Sequence, residues 1–380
     1  MRGALGDKTD APRVFAESGV ERRVMKKIIS LLLALFVLTA PAAWADAVGT
    51  LESWTGIREL IPDPERYGEA WIGLTEDGKI LSTDAERAAW AGSWQQRTAD
   101  WRGIVKLQTA HEDYTVLFGI DSYGVLHVCD PLDSDRQTRY VQANGWENVV
   151  QVDNCQDLVC AVLTDGSLRV NGSSNEDRFA PYWKLAGKWT SLSQIHFLQT
   201  GALIALRQDG RVWYYGPWPC YDYATEWREM ELTEPGEQVE QIMERYDSLF
   251  FLRQDGSIRI AARDNWADEE LLSVLEGWTN VAALISGGGN AVYGLCTDGM
   301  VLPAGGIPQT ETWTEIAALA CSADHVVGLR GDGTVLACGE NNQGQCSIGG
   351  WRDVVKINAG YGYSLGITRN GQVLIAGQLL

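Results

Sequence analysis

The chain has 380 residues and a net charge of −19, from 31 basic and 50 acidic side chains. A hydrophobic content of 45% in a chain of this length is enough for a large buried core. The acidic balance repels phosphate backbones and argues against nucleic acid as a partner.

The chain begins with a segment that is typical of exported proteins. Residues 1–24 are polar and lack hydrophobic periodicity, so we expect an unstructured leader, an upstream extension of the true start at Met25. Two lysines, the apolar run 28–38 and the sequence Ala43-Trp44-Ala45 then predict a signal-peptide helix over 25–45. The run is too short to span a bilayer. We therefore expect a mature domain, 46–380, that is secreted or periplasmic, is free of the membrane, and carries a net charge of −22.

One short pattern recurs eight times in the remainder of the chain. Its anchor is a Gly, preceded six times by Asp, once by Tyr123 and once by Asn370. Aliphatic residues lie four positions before and two positions after every anchor. The anchors are Gly78, Gly124, Gly166, Gly210, Gly256, Gly299, Gly333 and Gly371. Short apolar runs around such a turn predict a β-hairpin, with a two-residue loop and positive φ at both central residues.

A Trp lies upstream of seven of these hairpins, with aliphatic residues at the third and sixth positions after it. We call this the slot position. It holds Trp54, Trp101, Trp146, Trp189, Gly236, Trp278, Trp313 and Trp351 in chain order. One indole per repeat at a fixed place indicates packing between repeats.

Slot-to-slot spacings of 35 to 47 residues indicate a repeat architecture. The apolar runs are short and bounded by Gly, Asp and Asn, which excludes helical repeats. The pattern therefore predicts that each unit has three short strands and a fourth, less regular strand. Such units close radially into a β-propeller, because closure protects the sheet edges. Counting gives eight blades, with residues 48–53 as the missing fourth strand that closes the ring. A ring of seven blades with one divergent unit outside is the alternative.

The residues Cys321–Cys346 combine a His, an Asp-Gly turn, a closing Gly and the sequence N-N-Q-G-Q. In this combination the chain resembles repeats of the regulator of chromosome condensation (RCC1) type, in a bacterial exported form. The resemblance implies an all-β propeller, usually of seven blades, and is nearly silent on function. Bacterial relatives that inhibit secreted enzymes favour a protein partner. For His325 it implies a hydrogen bond that fastens a turn.

Two insertions interrupt the repeats. The first, Leu81–Ala99, contains Trp90 and Trp94 and predicts a short helical or irregular excursion. The second, Pro217–Glu237, follows the aromatic run Trp213–Tyr215, which we assign to a packed strand. Aromatic residues in a loop often form interfaces or sugar platforms. The candidate binding residues are therefore Trp218, Tyr221, Tyr223 and Trp227.

No known catalytic or cofactor-binding pattern occurs in the sequence. The four histidines lack helical metal spacing, and Asp130, Asp133 and Asp135 lack the rest of a calcium loop. We therefore predict no catalytic residue, no metal and no cofactor. Eight cysteines in an exported chain permit disulfides. Cys338 and Cys346 are a candidate pair.

Two functions remain open. The first is a non-catalytic, monomeric scaffold that binds a protein, peptide or glycan partner through rim loops. The second is a propeller enzyme, a lyase or hydrolase, with its site at the channel mouth. Carboxylates and His with shifted pKa values converging on the channel would favour the enzyme.

Overall fold

The structure, a computed structural model, describes most of the chain from residue 51 onward. The described residues are 51–62, 70–83, 93–109, 116–130, 140–155, 158–171, 180–198, 201–216, 228–245, 248–262, 269–288 and 291–378. The predicted leader (1–24) and signal-peptide helix (25–45) lie outside them. None of the helices in the described ranges has the length and hydropathy needed to cross a membrane.

Within these ranges the chain folds into eight antiparallel sheets, which we number as blades 1 to 8. The first four blades contain β1 (Ile57–Pro62), β2 (Trp71–Thr75) and β3 (Ile80–Ser82); β4 (Ile104–Thr109), β5 (Leu117–Asp121) and β6 (Leu126–Cys129); β7 (Val149–Cys155), β8 (Leu158–Leu163) and β9 (Leu168–Asn171); and β10 (Leu192–Phe197), β11 (Leu203–Arg207), β12 (Val212–Gly216) and β13 (Arg228–Glu231).

The remaining four blades have three strands each. They contain β14 (Val239–Arg245), β15 (Ser248–Arg253) and β16 (Ile258–Ala262); β17 (Val281–Ser286), β18 (Val292–Cys296) and β19 (Val301–Ala304); β20 (Ile316–Cys321), β21 (His325–Arg330) and β22 (Val335–Gly339); and β23 (Val354–Gly360), β24 (Tyr363–Thr368) and β25 (Val373–Gly377). In every blade the strands pair in chain order.

A fourth strand, predicted for every unit, is found among the described residues only in blade 4, as β13. Elsewhere a helix or turn leads into the next blade. The helices are Trp94–Arg97, Ala180–Leu185 and Glu269–Glu276, and the 3-10 helices are Val141–Ala143 and Pro308–Thr312. The helix Trp94–Arg97 lies in the predicted excursion, where the Ser93 hydroxyl and the Gln96 side chain form a capping box. Trp94 is buried, so the helix seals the side of blade 1.

Eight buried clusters join the blades, and each combines side chains from two consecutive blades. The cluster between blades 8 and 1 holds Leu51 and Trp54 together with Leu365 and Val373. The Trp71 ring also meets Tyr363 edge to face, with centroids 5.7 Å apart. The ring therefore closes with eight blades, not seven.

Residues 48–53 were expected to form the fourth strand of the last blade. Residues 48–50 lie outside the described residues, and for residues 51–53 the prediction is wrong. They form a helical turn. This turn inserts the fully buried Leu51 between the last and first blades. Ile348 occupies the corresponding place between blades 7 and 8. A turn serves here because Ile57 N–H already bonds to the Gly371 carbonyl across this junction, and the turn adds buried apolar side chains to it.

The slot indoles pack between blades, as the sequence predicts. Trp313, for example, lies in the cluster between blades 6 and 7. It also covers Gly328 in its own blade, where an added methyl group would lie 2.7 Å from an indole carbon. In blade 5, where Gly236 replaces the Trp, Phe251 stands at the position of Gly328 and is buried between blades 4 and 5. The missing indole is thus replaced by a ring from another strand.

The hairpin loops differ from the prediction. Only the Gly of each loop has a positive φ. In blade 1, Gly78 N–H donates to the Thr75 carbonyl at 3.0 Å, and Thr75 N–H donates to the Lys79 carbonyl at 2.9 Å. This is a type I turn followed by a left-handed Gly. The wider loop lets Asp accept a backbone hydrogen bond, as Asp332 does from Thr334 N–H at 2.9 Å.

The hairpin Gly also joins the blades. In seven of the eight blades its carbonyl accepts a hydrogen bond from the first strand of the next blade, for example from Val354 N–H to Gly333 at 3.1 Å. At the ring closure Ile57 N–H donates to Gly371 at 3.0 Å. The residue before each donor often has a left-handed backbone. Within the described ranges, every non-glycine residue with positive φ stands there: Asn148, Ser191, Asn280, Glu315 and Asp353.

Candidate functional site: the loop face and the channel

The ring has two unlike faces. Because the strands of each blade are antiparallel, the hairpin Gly loops and slot residues lie at one face, the hairpin face. The links between first and second strands, and the links that leave each third strand, lie at the other, the loop face. The candidate binding residues Trp218, Tyr221, Tyr223 and Trp227 lie outside the described residues. The strand ends that flank them, Gly216 and Arg228, are at the loop face.

An open groove of about 970 Å³ crosses the loop face from blade 6 to blade 8. Its apolar lining comes from Ile307, Pro308, Ala337, Cys338 and Tyr361, and its polar lining from Gln309, Asp324, Glu340 and Asn341. The Tyr361 side chain, in the link between β23 and β24, is 57% exposed. The groove thus offers an aromatic ring, two carboxylates and no basic side chain. Sequence reasoning did not find this site, because its residues come from three blades and meet only after the ring closes.

A hydrogen-bonded network supports the floor of the groove. Asp324 Oδ1 lies 3.0 Å from His325 Nδ1, and Asp324 accepts a hydrogen bond from Gln345 Nε2 at 2.9 Å. Burial would raise the pKa of Asp324, but hydrogen bonds from His325 and Ser322 outweigh it and hold that pKa well below its usual range. Asp324 therefore stays ionised. The implied role of His325 is confirmed, since it fastens its own turn.

His325 also ties blade 7 to blade 8. Its Nε2 lies 2.8 Å from Ser364 Oγ, whose hydroxyl donates to the Gln345 carbonyl at 2.7 Å. The order Asp324, His325, Ser364 is that of a catalytic triad. The geometry is not, because Ser364 is fully buried and its proton points at a carbonyl. The network holds blades together and presents no nucleophile to the groove.

The channel carries a second concentration of charge. The first strands of neighbouring blades contact one another and are therefore innermost. From blade 8 through blade 5, one charged side chain from each of these strands belongs to a series in which the signs alternate: Lys356, Glu59, Lys106, Asp153, His196 and Glu244. Outside this series, β1 also contains Arg58, and β14 also contains Glu240 and Arg245. Blades 6 and 7 have Ala283 and Ala318 at the position of Glu59. The channel wall is thus charged along one arc and small and apolar along the rest.

His196 lies between two carboxylates of this arc. Its Nδ1 is 3.1 Å from Asp153 Oδ2, and its Nε2 is 3.7 Å from Glu244 Oε2. Burial alone would lower the pKa of His196, but the hydrogen bonds to Asp153 and Glu244 raise it to about 10. An imidazole that is already protonated at neutral pH cannot accept a proton from a substrate. The channel therefore contains the carboxylates and the His expected of an enzyme. However, His196 is a cation paired with Asp153 and Glu244, not a free base.

The cysteines in the described ranges are all free thiols: Cys129, Cys155, Cys160, Cys296, Cys321, Cys338 and Cys346. The candidate pair Cys338 and Cys346 is therefore unbonded here, with both side chains half-buried beside the groove. Burial, and then the neighbouring Cys346, raise the pKa of Cys338 to about 11, so it is a weak nucleophile. No cluster of His, Cys, Asp or Glu among the described residues could hold a metal ion.

The sequence match to a known protein family covers blade 7 and the segment that follows it. Residues 316–345 match the profile of the regulator of chromosome condensation (RCC1) repeat. No curated protein matches the chain in sequence. Solved structures with a similar fold include the computationally designed Ika8 protein, at 15% identity over 81% of this chain and 93% of that chain, with a TM-score of 0.48.

Two natural proteins have a comparable fold. The CRINKLY WD40 ectodomain of the Arabidopsis thaliana receptor kinase ACR4 has 14% identity over 72% of this chain and 95% of that chain, with a TM-score of 0.41. Yeast RCC1 (Prp20), in its structure with Kap60, has 12% identity over 99% of this chain and 86% of that chain, with a TM-score of 0.43. Residues 316–345, which span blade 7, thus match the RCC1 repeat, in agreement with the resemblance carried by Cys321–Cys346. The fold of the described residues is an eight-bladed β-propeller.

Proposed function

We propose that this protein is an exported, non-catalytic scaffold that binds another protein through its loop face. One observation carries the proposal. A rigid ring, closed by backbone hydrogen bonds at the hairpin face, presents an open groove with an exposed aromatic ring at the other face. A large, largely preformed concave surface with few fixed polar groups is the usual form of a binding site.

Rigidity favours a scaffold because a preformed surface loses little conformational entropy on binding. The network of Asp324, His325 and Ser364 fixes the floor of the groove before any partner arrives. Such a groove also suits a peptide or a glycan, and crosslinking distinguishes these ligands from a protein. Nucleic acid remains an unexpected partner, because the groove and the whole chain are acidic.

The test compares two exposed tyrosines on opposite faces. Tyr361 lines the groove, whereas Tyr123 is 87% exposed in a hairpin loop. A photocrosslinking amino acid placed at each position in the producing cells should give a covalent protein adduct from the groove position alone. The purified adduct partner should then lose affinity for Tyr361→Ala and keep it for Tyr123→Ala. Equal crosslinking from both faces, or adducts with glycan only, would contradict a protein-binding loop face.

The aromatic loop residues remain a prediction of the same kind. Changing Trp218, Tyr221, Tyr223 and Trp227 to Ala should weaken binding of the captured partner if these side chains contact it. Unchanged affinity would remove them from the binding surface and leave the groove as the site.

Export is supported by the signal-peptide pattern of residues 25–45. N-terminal sequencing of the protein recovered outside the cytoplasm should begin at Asp46. Recovery of an uncleaved chain from the cytoplasm would contradict this part of the proposal.

A channel enzyme is the second candidate, favoured by the group of Asp153, His196 and Glu244. It requires His196 to exchange protons during turnover, and a pKa of about 10 opposes that at neutral pH. Lyase or hydrolase turnover that disappears in His196→Gln, with the fold intact, would favour the enzyme over the scaffold.

A further inference from the structure

The outer edges of the blades differ in how their backbone groups are used. In each hairpin the residue just after the Gly bonds back across the loop, as Thr334 does through its carbonyl to Arg330 N–H. Alternate residues of the third strand therefore face the second strand, and those between them face outward. Blade 4 shows this, because the Val212 carbonyl faces outward and accepts from Leu232 N–H beside the fourth strand β13.

By the same alternation, Val335, Ala337 and Gly339 of β22 direct their N–H and C=O groups away from β21. The chain around blade 7 is described without a break from residue 291 to residue 378. Within that stretch no backbone hydrogen bond reaches these outward groups. The segment that follows β22 forms turns rather than a covering helix or strand.

Blade 6 protects the same edge in a different way. Pro303 stands at the position of Ala337 and has no N–H to offer. The 3-10 helix Pro308–Thr312 also follows that strand closely. An exposed edge with free donors recruits further strands, and proteins commonly block it with Pro or a covering element. Blade 7 has neither, so its edge is open where that of its neighbour is closed.

The open edge leads into the acidic groove. Ala337 and Gly339 are lining residues of both features, and Asp324 and Glu340 lie beside them. We propose that blade 7 binds an extended segment of a partner protein as a fourth, antiparallel strand, with a Lys or Arg of that segment directed at Glu340. Antiparallel pairing follows the β12–β13 pair of blade 4. This inference rests on the proposed binding function and specifies how the partner is held.

The probe is a phage-displayed library of random linear nine-residue peptides, selected on the full chain. Synthetic copies of the selected peptides are then measured by fluorescence anisotropy against three proteins. In Ala337→Pro, blade 7 receives the residue that blade 6 already carries, so the inner β21–β22 ladder is kept. In Pro303→Ala, blade 6 loses its block. The unchanged protein is the reference.

Selected peptides should be rich in Lys or Arg and should bind Ala337→Pro at least ten-fold more weakly. Pro303→Ala should keep the affinity of the reference. Two sets of peptide copies are methylated on every second backbone nitrogen, one set on the odd positions and the other on the even positions. Only the set whose methyl groups replace the N–H groups that pair with β22 should lose binding. Amide hydrogen exchange of the unchanged protein should slow at Ala337 and Gly339 when peptide is added, which tests the pairing without any variant.

Equal affinity for Ala337→Pro, no protection at Ala337 and Gly339, or a library that yields no binder would each overturn the inference. Peptides that ignore Ala337→Pro but lose affinity for Tyr361→Ala would overturn strand addition and leave the loop-face function standing. Absence of any protein adduct at Tyr361 would instead contradict the proposed function itself.

Discussion

The hairpin face and the loop face of this ring obey different rules. At the hairpin face one arrangement repeats: all eight copies have a left-handed Gly, seven have a Gly carbonyl that accepts a hydrogen bond from the next blade, and seven have an indole at the slot. At the loop face, the links range from the two residues Tyr361 and Gly362 to the insertion after Gly216. The contacts at the hairpin face therefore close the ring, whereas the links at the loop face can vary and bind a partner.

The contrast has a physical basis. A closed ring fails if one junction fails, so each junction needs the same close backbone contact. A link at the loop face contributes little to closure and can change without opening the ring. Substitutions at the hairpin face should therefore destabilise the protein, whereas those at the loop face should mostly affect binding.

The largest expected effect is at a slot indole. Trp313→Ala should lower the free energy of unfolding by about 3–5 kcal/mol, because it leaves a cavity between blades 6 and 7. Trp183→Ala, at a side chain that is 41% exposed, is the matched control and should change stability by less than about 0.5 kcal/mol. Urea unfolding followed by fluorescence measures both. Equal effects would show that the slot ring does not hold the blades together.

Next comes the glycine of the closing junction. An added methyl group at Gly371 would lie 2.4 Å from Ile57 N, and the backbone has φ of +75°. Gly371→Ala should cost about 2–4 kcal/mol, since it combines backbone strain with a collision. Gly349 has open space around its Cα, and Gly349→Ala should be nearly neutral. A stable Gly371→Ala protein with an intact fold would contradict an eight-blade closure at this point.

Within the loop face, the tie between blades 7 and 8 should have an intermediate effect. Ser364→Ala removes the partner of His325 Nε2 and of the Gln345 carbonyl in a buried site. The expected loss is about 1–3 kcal/mol, the cost of leaving buried polar groups unpaired. Ser347→Ala, at an exposed serine nearby, should leave the melting temperature unchanged. No difference between the two variants would mean that His325 finds another partner.

The repeat was predictable because its signals are local. The positions of the hairpins, the slot indoles and the number of repeats follow from local patterns, and the structure confirms them. The turn type of the hairpins and the fourth strand, which the described residues show only in blade 4, differ from the prediction. Other exceptions arise where distant parts of the chain meet. Phe251 compensates for Gly236 only through packing between blades, and Leu51 closes the ring as a turn rather than a strand. Sequence spacing cannot show either contact.

The groove and the charged arc were not predictable for the same reason. Tyr361 and Ile307 belong to different blades and meet only after closure. The six alternating channel charges stand on six separate strands, and no local motif marks them. The predicted aromatic loop, 218–227, lies outside the described residues and stays a prediction.

The smallest expected effect concerns pH and the channel arc. Because the folded pKa of His196 is about 10 and the usual value is near 6.5, its protonated form stabilises the ring fully below pH 6.5. That contribution is lost as pH rises through 10. We expect about 1–2 kcal/mol, reduced by water in the channel. Urea unfolding at pH 7 and pH 10 should show this loss in the native protein and a smaller one in His196→Gln. The same pH dependence in both proteins would mean that Asp153 and Glu244 do not hold His196 as a cation, and the channel enzyme would then regain its general base.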